Sequence, residues 1–407
     1  MSDLSPPKKI PLGKADFADL KARHCTYADK TRFIEILENL DAKHVLFTRP
    51  PRFGKTLTAS MLAAYYDIAE ADRFDSLFGD TYIGRNKTAL ANQFYVLKLE
   101  FSGLANLSEV EKSFTENLRC QLRTFFDRYP HPHQNEILSD DLTDSASLLE
   151  RFFCSLGPDF TRRLYVIIDD YDQVENTFCP SPKNGFNFLK AFWSVLKEAC
   201  GHPVSRIFVT GNTLTLPTQE VLPSFVSDYS DAVDLHDFMG FTEADLRHLM
   251  IETLNPANTS LTADGIISDF ATQFGNYRFC PYADVSSLLN ARLCLNCLDA
   301  LQHGEAVGAA LNNGQDLKLE AILKRSHPIM VKEIISALLH NHTVAFPIGR
   351  PAFIHLAADV QLDREALLSA LFFFGYLTYA DKDAYTLAVP NAHIRTELKA
   401  YAKRCLE

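Results

Sequence analysis

The sequence lacks any apolar run long enough to cross a bilayer, which argues against an integral membrane protein. It also lacks a disulfide framework. Its nine cysteines are odd in number and irregular in spacing, a pattern typical of buried free thiols in a reducing compartment. The segment from Met1 to Pro11 has no apolar core of a secretory signal, so we expect a cytoplasmic protein with no membrane contact.

Basic residues are too few to give the chain a positive charge. There are 40 Lys and Arg against 51 Asp and Glu, so the formal net charge is −11 at pH 7. A general attraction to nucleic acid is therefore not expected, although a local basic groove is compatible with this balance. With 407 residues, 47% of them hydrophobic and 22% charged, the chain is long enough for two or three folded domains.

Short apolar runs alternate with segments of helical periodicity in the first half of the chain. Strands are predicted at 45–48, 94–101, 164–168 and 206–210, with a short last strand at 232–235. The third strand is apolar enough to be buried on both faces, as central parallel strands are. Strands separated by helices favour an α/β domain with a parallel sheet.

Four regions are expected along the chain. They are a disordered lead at 1–12, the α/β domain at 13–239, a helical lid at 240–314 and a C-terminal domain at 315–407. Helices followed by a hairpin predict a winged-helix-like shape for the last region. Its helix at 363–374 carries one arginine and ends in three phenylalanines, so we expect packing or protein binding there rather than DNA reading.

A phosphate-binding loop is predicted where the first strand runs into a helix, at Arg52-Phe53-Gly54-Lys55-Thr56-Leu57. Backbone N–H groups at the helix start can hold phosphate oxygens. The Lys55 ammonium can reach the β- and γ-phosphates, and the Thr56 hydroxyl can ligate Mg²⁺. Because Arg49 replaces the first glycine of the general pattern, the loop alone leaves an ordinary helix start as an equal alternative.

Polar side chains follow two later strands. Asp169 is suited to hold Mg²⁺ and Asp170 to orient an attacking water, while Asn212 could touch the γ-phosphate or that water. Each group alone is an ordinary strand-end turn. Combined with Lys55 and Thr56, they predict a nucleotide site in which Asp170 and Asn212 are catalytic.

The order of these motifs resembles the AAA-ATPase-like family, P-loop ATPases that often carry a C-terminal nuclease-like domain of the PD-(D/E)XK type. The similarity runs from about Ile10 to the C-terminus, and the family also lacks the first loop glycine. The matching motifs are Tyr27-Ala28-Asp29-Lys30-Thr31, Arg49-Pro50-Pro51-Arg52-Phe53-Gly54-Lys55-Thr56, Ile168-Asp169-Asp170-Tyr171-Asp172, Phe208-Val209-Thr210-Gly211, Gly240-Phe241-Thr242-Glu243 and Gly275-Asn276-Tyr277-Arg278-Phe279.

This resemblance implies ATP as the ligand, a P-loop NTPase fold with a helical lid, and Arg278 as a phosphate-sensing arginine in the lid. Asp170 replaces the glutamate of the family and is shorter by one methylene. A shift of about 1 Å in a water-positioning group can cost on the order of 100-fold in rate, so we expect slow hydrolysis. After residue 315, no Glu-x-Lys follows a spaced Asp on an apolar strand, so we expect no nuclease domain.

The favoured function is a Mg²⁺-dependent ATP-binding protein, an ATPase of reduced rate that acts as a nucleotide-driven switch. Its expected partners are ATP and other proteins or further copies of itself. Two alternatives remain: a non-hydrolysing interaction scaffold stabilised by nucleotide, and a nucleic-acid-handling factor. Residue 170 distinguishes the slow ATPase from the non-hydrolysing scaffold. A large gain in turnover in Asp170→Glu would show that the natural chain is close to the scaffold.

Overall fold

The computed structural model describes residues 7–103, 109–157, 163–175, 186–215, 219, 221–254, 262–282, 285–305, 316–355, 360–380 and 383–405. Within these ranges no helix combines the length and the apolar character needed to span a membrane. The small-residue stretch predicted at 304–314 falls mostly outside them.

Five parallel strands form the central sheet. They are β1 (His44–Thr48), β2 (Tyr95–Glu100), β3 (Leu164–Asp169), β4 (Val204–Gly211) and β5 (Ser227–Asp228). Their spatial order is β2-β3-β4-β1-β5, and every residue of β3 is buried, as a central strand requires. Because parallel strands end at one edge of a sheet, the segments after β1, β3 and β4 meet there.

The fifth strand lies earlier than predicted. Residues 232–235 were expected to be extended, but Val233–Phe238 is a 3-10 helix and the strand is Ser227–Asp228. The Ser230 hydroxyl accepts a hydrogen bond from the Thr48 N–H at 2.8 Å and fastens this edge to β1. A strand of two residues has no alternation that a sequence could reveal, so the prediction of its position was wrong.

Helices cover the two faces of the sheet. They are α1 (Phe17–Ala22), α2 (Phe33–Glu38), α3 (Lys55–Tyr66), α4 (Phe74–Phe78), α5 (Tyr82–Arg85), α6 (Val110–Arg128), α7 (Gln134–Ile137), α8 (Ser145–Ser155) and α9 (Asn187–Ala199), with 3-10 turns at Ile68–Arg73 and Leu222–Ser224. Aromatic rings dominate the packing: Phe114 on α6 meets Phe192 on α9 edge-to-face at 5.4 Å between ring centres.

Three helices form the lid: α10 (Glu243–Thr253), α11 (Ala263–Phe274) and α12 (Ala291–Gln302). The capping box predicted at Thr242 is present. The Thr242 hydroxyl accepts from the Asp245 N–H at 3.1 Å, and the Asp245 carboxylate accepts from the Thr242 N–H at 2.8 Å. These helices pack around a core of their own, in which Phe270 and Cys294 are fully buried.

The C-terminal domain contains α13 (Asp316–Leu323), α14 (Pro328–Asn341), α15 (Arg364–Phe373) and α16 (Ala392–Cys405), with a small sheet of β6 (Thr343–Ala345), β7 (Thr378–Ala380) and β8 (Asp383–Ala388). The sheet is antiparallel in the order β6-β8-β7. Helices and a hairpin therefore lie where the sequence predicts them, while the winged-helix assignment itself stays a prediction. Phe372 and Phe373 are buried, so this end of α15 packs inward.

One hydrophobic core runs through the α/β and C-terminal domains. Ile168 of β3 and Leu371 of α15 belong to the same cluster of buried residues. The turn that follows α11 joins both parts, because the Arg278 N–H donates to the Thr378 hydroxyl at 2.6 Å and the Tyr277 hydroxyl donates to the Gly375 carbonyl at 3.2 Å. The C-terminal domain thus packs against both the α/β domain and the turn that follows α11.

The end of the predicted lead is ordered. Residues 1–6 lie outside the described part, but the Lys8 N–H donates to the Glu252 carbonyl and the Lys9 carbonyl accepts from the Thr26 N–H, both at 2.9 Å. Ile10 also packs against the core of the lid. The expectation of disorder up to residue 12 is therefore wrong for these residues, because their backbone groups and an apolar side chain find partners.

Candidate functional site

The loop between β1 and α3 has the turns that a phosphate-binding loop needs. Arg52 has φ 73° and Gly54 has φ 96°, and the left-handed backbone at Gly54 carries no steric cost. Helix α3 begins at Lys55 directly after this turn, and the free N–H groups of a helix start face the space in front of it. Backbone donors are therefore present where the sequence predicts a phosphate site.

Lys55 is buried beneath the loop. Its ammonium donates to the carbonyls of Arg49 and Pro50, each at 3.1 Å, and to the Asn212 side-chain oxygen at 2.8 Å. The residue is 6% exposed, so its ammonium lies inside the protein rather than in open solvent. Burial lowers the pKa of Lys55, and the carboxylates of Asp170 and Asp172 oppose that change. A bound phosphate has to replace at least one of the present acceptors, because an ammonium has three donors.

Asp169 and Thr56 form the candidate magnesium position. Asp169 ends β3 and is fully buried, and its Oδ2 atom has no hydrogen-bond partner in the described part of the chain. Burial raises its pKa, and the nearby Thr56 hydroxyl and Lys55 ammonium oppose the rise. An unpaired carboxylate oxygen beside a hydroxyl is an oxygen donor set that fits Mg²⁺. These residues therefore fit the metal that the sequence implies.

Asp170 lies in the turn that directly follows β3, at the same edge of the sheet. Its φ of 52° is unusual for a residue with a side chain, and its N–H donates to Asp169 Oδ1 at 3.0 Å. Burial raises the pKa of Asp170 to about 6, and the Asp169 carboxylate adds to the rise. The side chain is still mostly ionised at neutral pH, as a group that orients water must be.

Asp172 fixes Asn212 in place. Its carboxylate accepts from the Asn212 N–H at 3.1 Å and from the Thr213 N–H at 2.8 Å, and it is fully buried. The Asn212 side chain is thereby held against Lys55. The sequence motif contained Asp172, but nothing in it indicated that this carboxylate supports the residues after β4.

A cavity of about 540 Å³ opens in front of the loop. One end is polar, with Arg52, Gly54, Lys55, Thr56, Asp170, Gln173, Asn212 and Lys318 among its walls. The other end is mainly apolar and includes Pro11, Leu20, Tyr27, Ala28, Phe238, Met239, Phe241, Leu249, Ala291 and Leu295. A cavity with one apolar and one phosphate-binding end matches the two ends of a nucleotide.

A family model described as "Predicted AAA-ATPase" matches residues 11–216, just over half of the chain. The chain belongs to the AAA-ATPase-like family. This confirms the family resemblance and supports nucleotide binding in a P-loop ATPase fold, while the motifs at 240–243 and 275–279 lie outside the matched residues.

Solved structures give weaker similarities to this AAA-ATPase-like protein. One is the ORC2 protein of Aeropyrum pernix in ADPNP–ADP complexes, at 11% identity and TM-score 0.42, covering 100% of this chain and 97% of that one. Another is Drosophila ORC bound to GC-rich DNA and Cdc6, at 15% identity and TM-score 0.33, covering 78% of this chain and 44% of that one. Similarity at this level transfers no function. A search of curated proteins gives no significant match.

In this AAA-ATPase-like protein, most of the predicted site residues meet at the cavity. Its walls include Arg52, Phe53, Gly54, Lys55, Thr56, Leu57, Asp170 and Asn212. Asp169 lies behind them. Arg278 is not among the described residues that line the cavity, and its backbone instead holds Thr378 of the C-terminal domain. The structure therefore does not bring Arg278 to the nucleotide position, and its predicted phosphate-sensing role is not supported.

Phe53 joins the loop to the lid. Its ring is 1% exposed and packs edge-to-face on Tyr277 at 5.0 Å, while its carbonyl accepts from the Gly240 N–H at 2.9 Å. The Arg52 carbonyl accepts from the Arg292 N–H at 3.2 Å. The phosphate-binding loop and the lid are thus fastened by their backbones, and the Phe53 side chain anchors the loop in the protein core.

Arg49, which flanks the loop, is also structural. Its guanidinium donates to the carbonyls of Ser230 at 2.7 Å and His236 at 3.0 Å, and it lies over the Phe47 ring at 4.3 Å. Burial lowers its pKa to about 9. Arg49 therefore supports the strand end from behind rather than facing a phosphate.

Sequence reasoning missed three groups of cavity residues. They are the N-terminal Tyr27 and Lys30, the lid residue Arg292, and Lys318 of the C-terminal domain. Tyr27 and Lys30 belong to a motif that carried the family resemblance without a role. Arg292 lies two residues after Asn290, the N-cap of α12. The start of this helix was the sequence signal that could have indicated Arg292. Lys318 had no signal, because only the packing of the domains brings it near the loop.

Proposed function

We propose that this protein binds ATP with Mg²⁺ in the cavity and hydrolyses it slowly. The supporting observation is that one cavity of about 540 Å³ is lined both by the P-loop of the AAA-ATPase-like family and by apolar side chains. The base would lie among Tyr27, Met239, Leu249 and Leu295, and the phosphates would lie before the start of α3.

The polar end holds groups suited to each part of the phosphate chain. When nucleotide binds, the Lys55 ammonium would exchange its hydrogen bonds to the loop carbonyls for hydrogen bonds to phosphate oxygens. The N–H groups at the start of α3 would bind the phosphate nearest the loop. Thr56 and Asp169 would hold Mg²⁺, which neutralises and bridges phosphate charge. Arg292 at the start of α12 adds a positively charged residue of the lid to the lining of the same cavity.

Hydrolysis would depend on Asp170 and Asn212. Asp170 faces the cavity and accepts a proton or a hydrogen bond from water, and Asn212 lies next to Lys55 at the same end. The shorter arm of aspartate supports a low rate, which suits a switch whose lid reports the nucleotide state. Protein partners or further copies of this chain would read that state.

The test is nucleotide binding by calorimetry in the presence of Mg²⁺. The wild-type protein should bind ATP, and Lys55→Met should lose affinity by about 10- to 100-fold, because a charge-assisted hydrogen bond is worth about 1.5–3 kcal/mol. Methionine keeps the buried stem, and circular dichroism with a melting curve confirms the fold. An affinity unchanged by this substitution would contradict the proposal.

A further inference from the structure

The C-terminal domain contributes a positive charge to the cavity. Lys318 lies in the first turn of α13 and lines the polar end, together with Lys55, Asp170 and Asn212. Among the described cavity residues it is the one that comes from beyond residue 315. The residue is exposed, and its ammonium lies 5.5 Å from the centre of the Phe374 ring, a contact that a phosphate would compete with.

Lys318 lies within the electrostatic field of the strand-end carboxylates. Partial loss of hydration lowers the pKa of Lys318, and the carboxylates of Asp172 and Asp170 oppose that change. Lys318 in turn lowers the pKa of Lys55. The two lysines line the same cavity and come from different elements, Lys55 from α3 and Lys318 from α13.

The helix that carries Lys318 is firmly placed. Leu319, Ile322 and Leu323 of α13 are buried in the core shared with the α/β domain. The Ile354 N–H donates to the Leu214 carbonyl at 2.8 Å, two residues after Asn212, so the C-terminal domain is bonded to the chain that leaves β4. The position of the Lys318 backbone relative to the loop is therefore set before a ligand arrives.

We propose that Lys318 binds the terminal phosphate of a nucleoside triphosphate, so that the C-terminal domain completes the site and distinguishes triphosphate from diphosphate. This inference rests on the proposed nucleotide binding. Asp170 lines the polar end, and Asp169 and Asp172 are fully buried close to it, so their negative charge opposes a phosphate chain. Each added phosphate increases that repulsion. A second ammonium, that of Lys318, would offset it at the terminal phosphate together with Lys55.

The test compares a non-hydrolysable ATP analogue with ADP, both with Mg²⁺, by calorimetry. Lys318→Met should weaken binding of the analogue by about tenfold or more, the effect of losing one charge-assisted hydrogen bond, and should change ADP affinity by less than about threefold. Lys318→Arg keeps the charge and should restore most of the preference for the analogue. Lys324→Met is the matched control, because Lys324 follows the same helix but pairs with Glu320 on the surface.

Two outcomes overturn the inference. One is an unchanged ratio of the two affinities in Lys318→Met, whether or not both affinities fall, and the other is the same loss in Lys324→Met. A wild-type protein that binds neither nucleotide rejects the proposed function together with this inference. A wild-type protein that binds both, but whose ratio does not depend on residue 318, rejects the inference alone.

Discussion

Asp169 and Asp170 are neighbours in the sequence but differ in their surroundings. Asp169 is fully buried at the end of β3, with one carboxylate oxygen unpartnered in the described part of the chain. Asp170 turns into the left-handed region and faces the cavity. A left-handed residue other than glycine costs of order 1–3 kcal/mol, and such strain clusters at functional sites. If the strand continued, the two neighbouring side chains would point to opposite faces of the sheet. The turn at Asp170 instead leaves Asp169 buried and directs Asp170 towards the cavity.

Replacing each aspartate by asparagine should therefore give different defects. Asp169→Asn should weaken Mg²⁺-dependent ATP affinity by about tenfold or more, since it removes a charged metal ligand. Asp170→Asn should leave that affinity within about threefold but slow turnover by about 100-fold, the usual contribution of a positioned base. The measurements are calorimetry with Mg²⁺ or with EDTA, and single-turnover hydrolysis.

The melting temperature of each variant is the control for its folding. Burial raises the pKa of both carboxyl groups, so the charged forms are disfavoured in the folded protein and a neutral amide should not lower the melting temperature near pH 7. In EDTA, Asp169→Asn should bind ATP no more weakly than wild type, because the metal is absent and a negative charge near the phosphates has been removed. If Asp170→Asn loses Mg²⁺-ATP affinity as strongly as Asp169→Asn, the two roles are assigned wrongly.

At the scale of elements, the parallel strands and the P-loop could be predicted because their signals are local. The apolar run at β3, the turn before α3 and the capping box at Thr242 each depend on residues close in sequence. The position of β5 and the surroundings of Arg278 could not be predicted in this way. An edge strand of two residues and an arginine whose backbone pairs with Thr378 are determined by long-range contacts.

The junction between the phosphate-binding loop and the lid depends on close packing at Gly240. Gly240 has φ 89°, and a Cβ atom there would lie 2.8 Å from Cδ1 of the Phe53 ring. Its N–H also donates to the Phe53 carbonyl. The absence of a side chain at Gly240 therefore allows the lid to approach the loop that binds phosphate.

Gly240→Ala should lower both stability and ATP affinity. Gly304→Ala is the matched control, because Gly304 has φ 76° and nothing within 4 Å of an added Cβ. The control should lose about 1–2 kcal/mol for left-handed backbone alone, while Gly240→Ala should lose more because the clash adds to that cost. Chemical denaturation measures stability and calorimetry measures ATP affinity. Equal losses in both variants would show that the contact with Phe53 has no influence.

At the scale of the whole molecule, the lid is the part with a separate core. The α/β and C-terminal domains share one cluster of buried residues, whereas α10, α11 and α12 pack mainly on one another. A unit with its own small core opens at a lower free energy than the main core. The lid also contributes Phe241, Leu249, Arg292 and Leu295 to the cavity, so opening it would break the site.

Amide hydrogen exchange should therefore report nucleotide binding mainly in the lid. Without nucleotide, amides of α10 to α12 should exchange faster than those of β3 and β4. At an ATP concentration of about 100 times Kd, openings that break the site cost about 2.7 kcal/mol more, so exchange in the lid should slow by about 100-fold.

Helix α8 packs on α6 and α9, away from the cavity, and should change least. Lys55→Met should abolish the slowing. Equal slowing in α8 and in the lid would mean that the whole protein opens as one unit, and that the lid does not report the nucleotide separately.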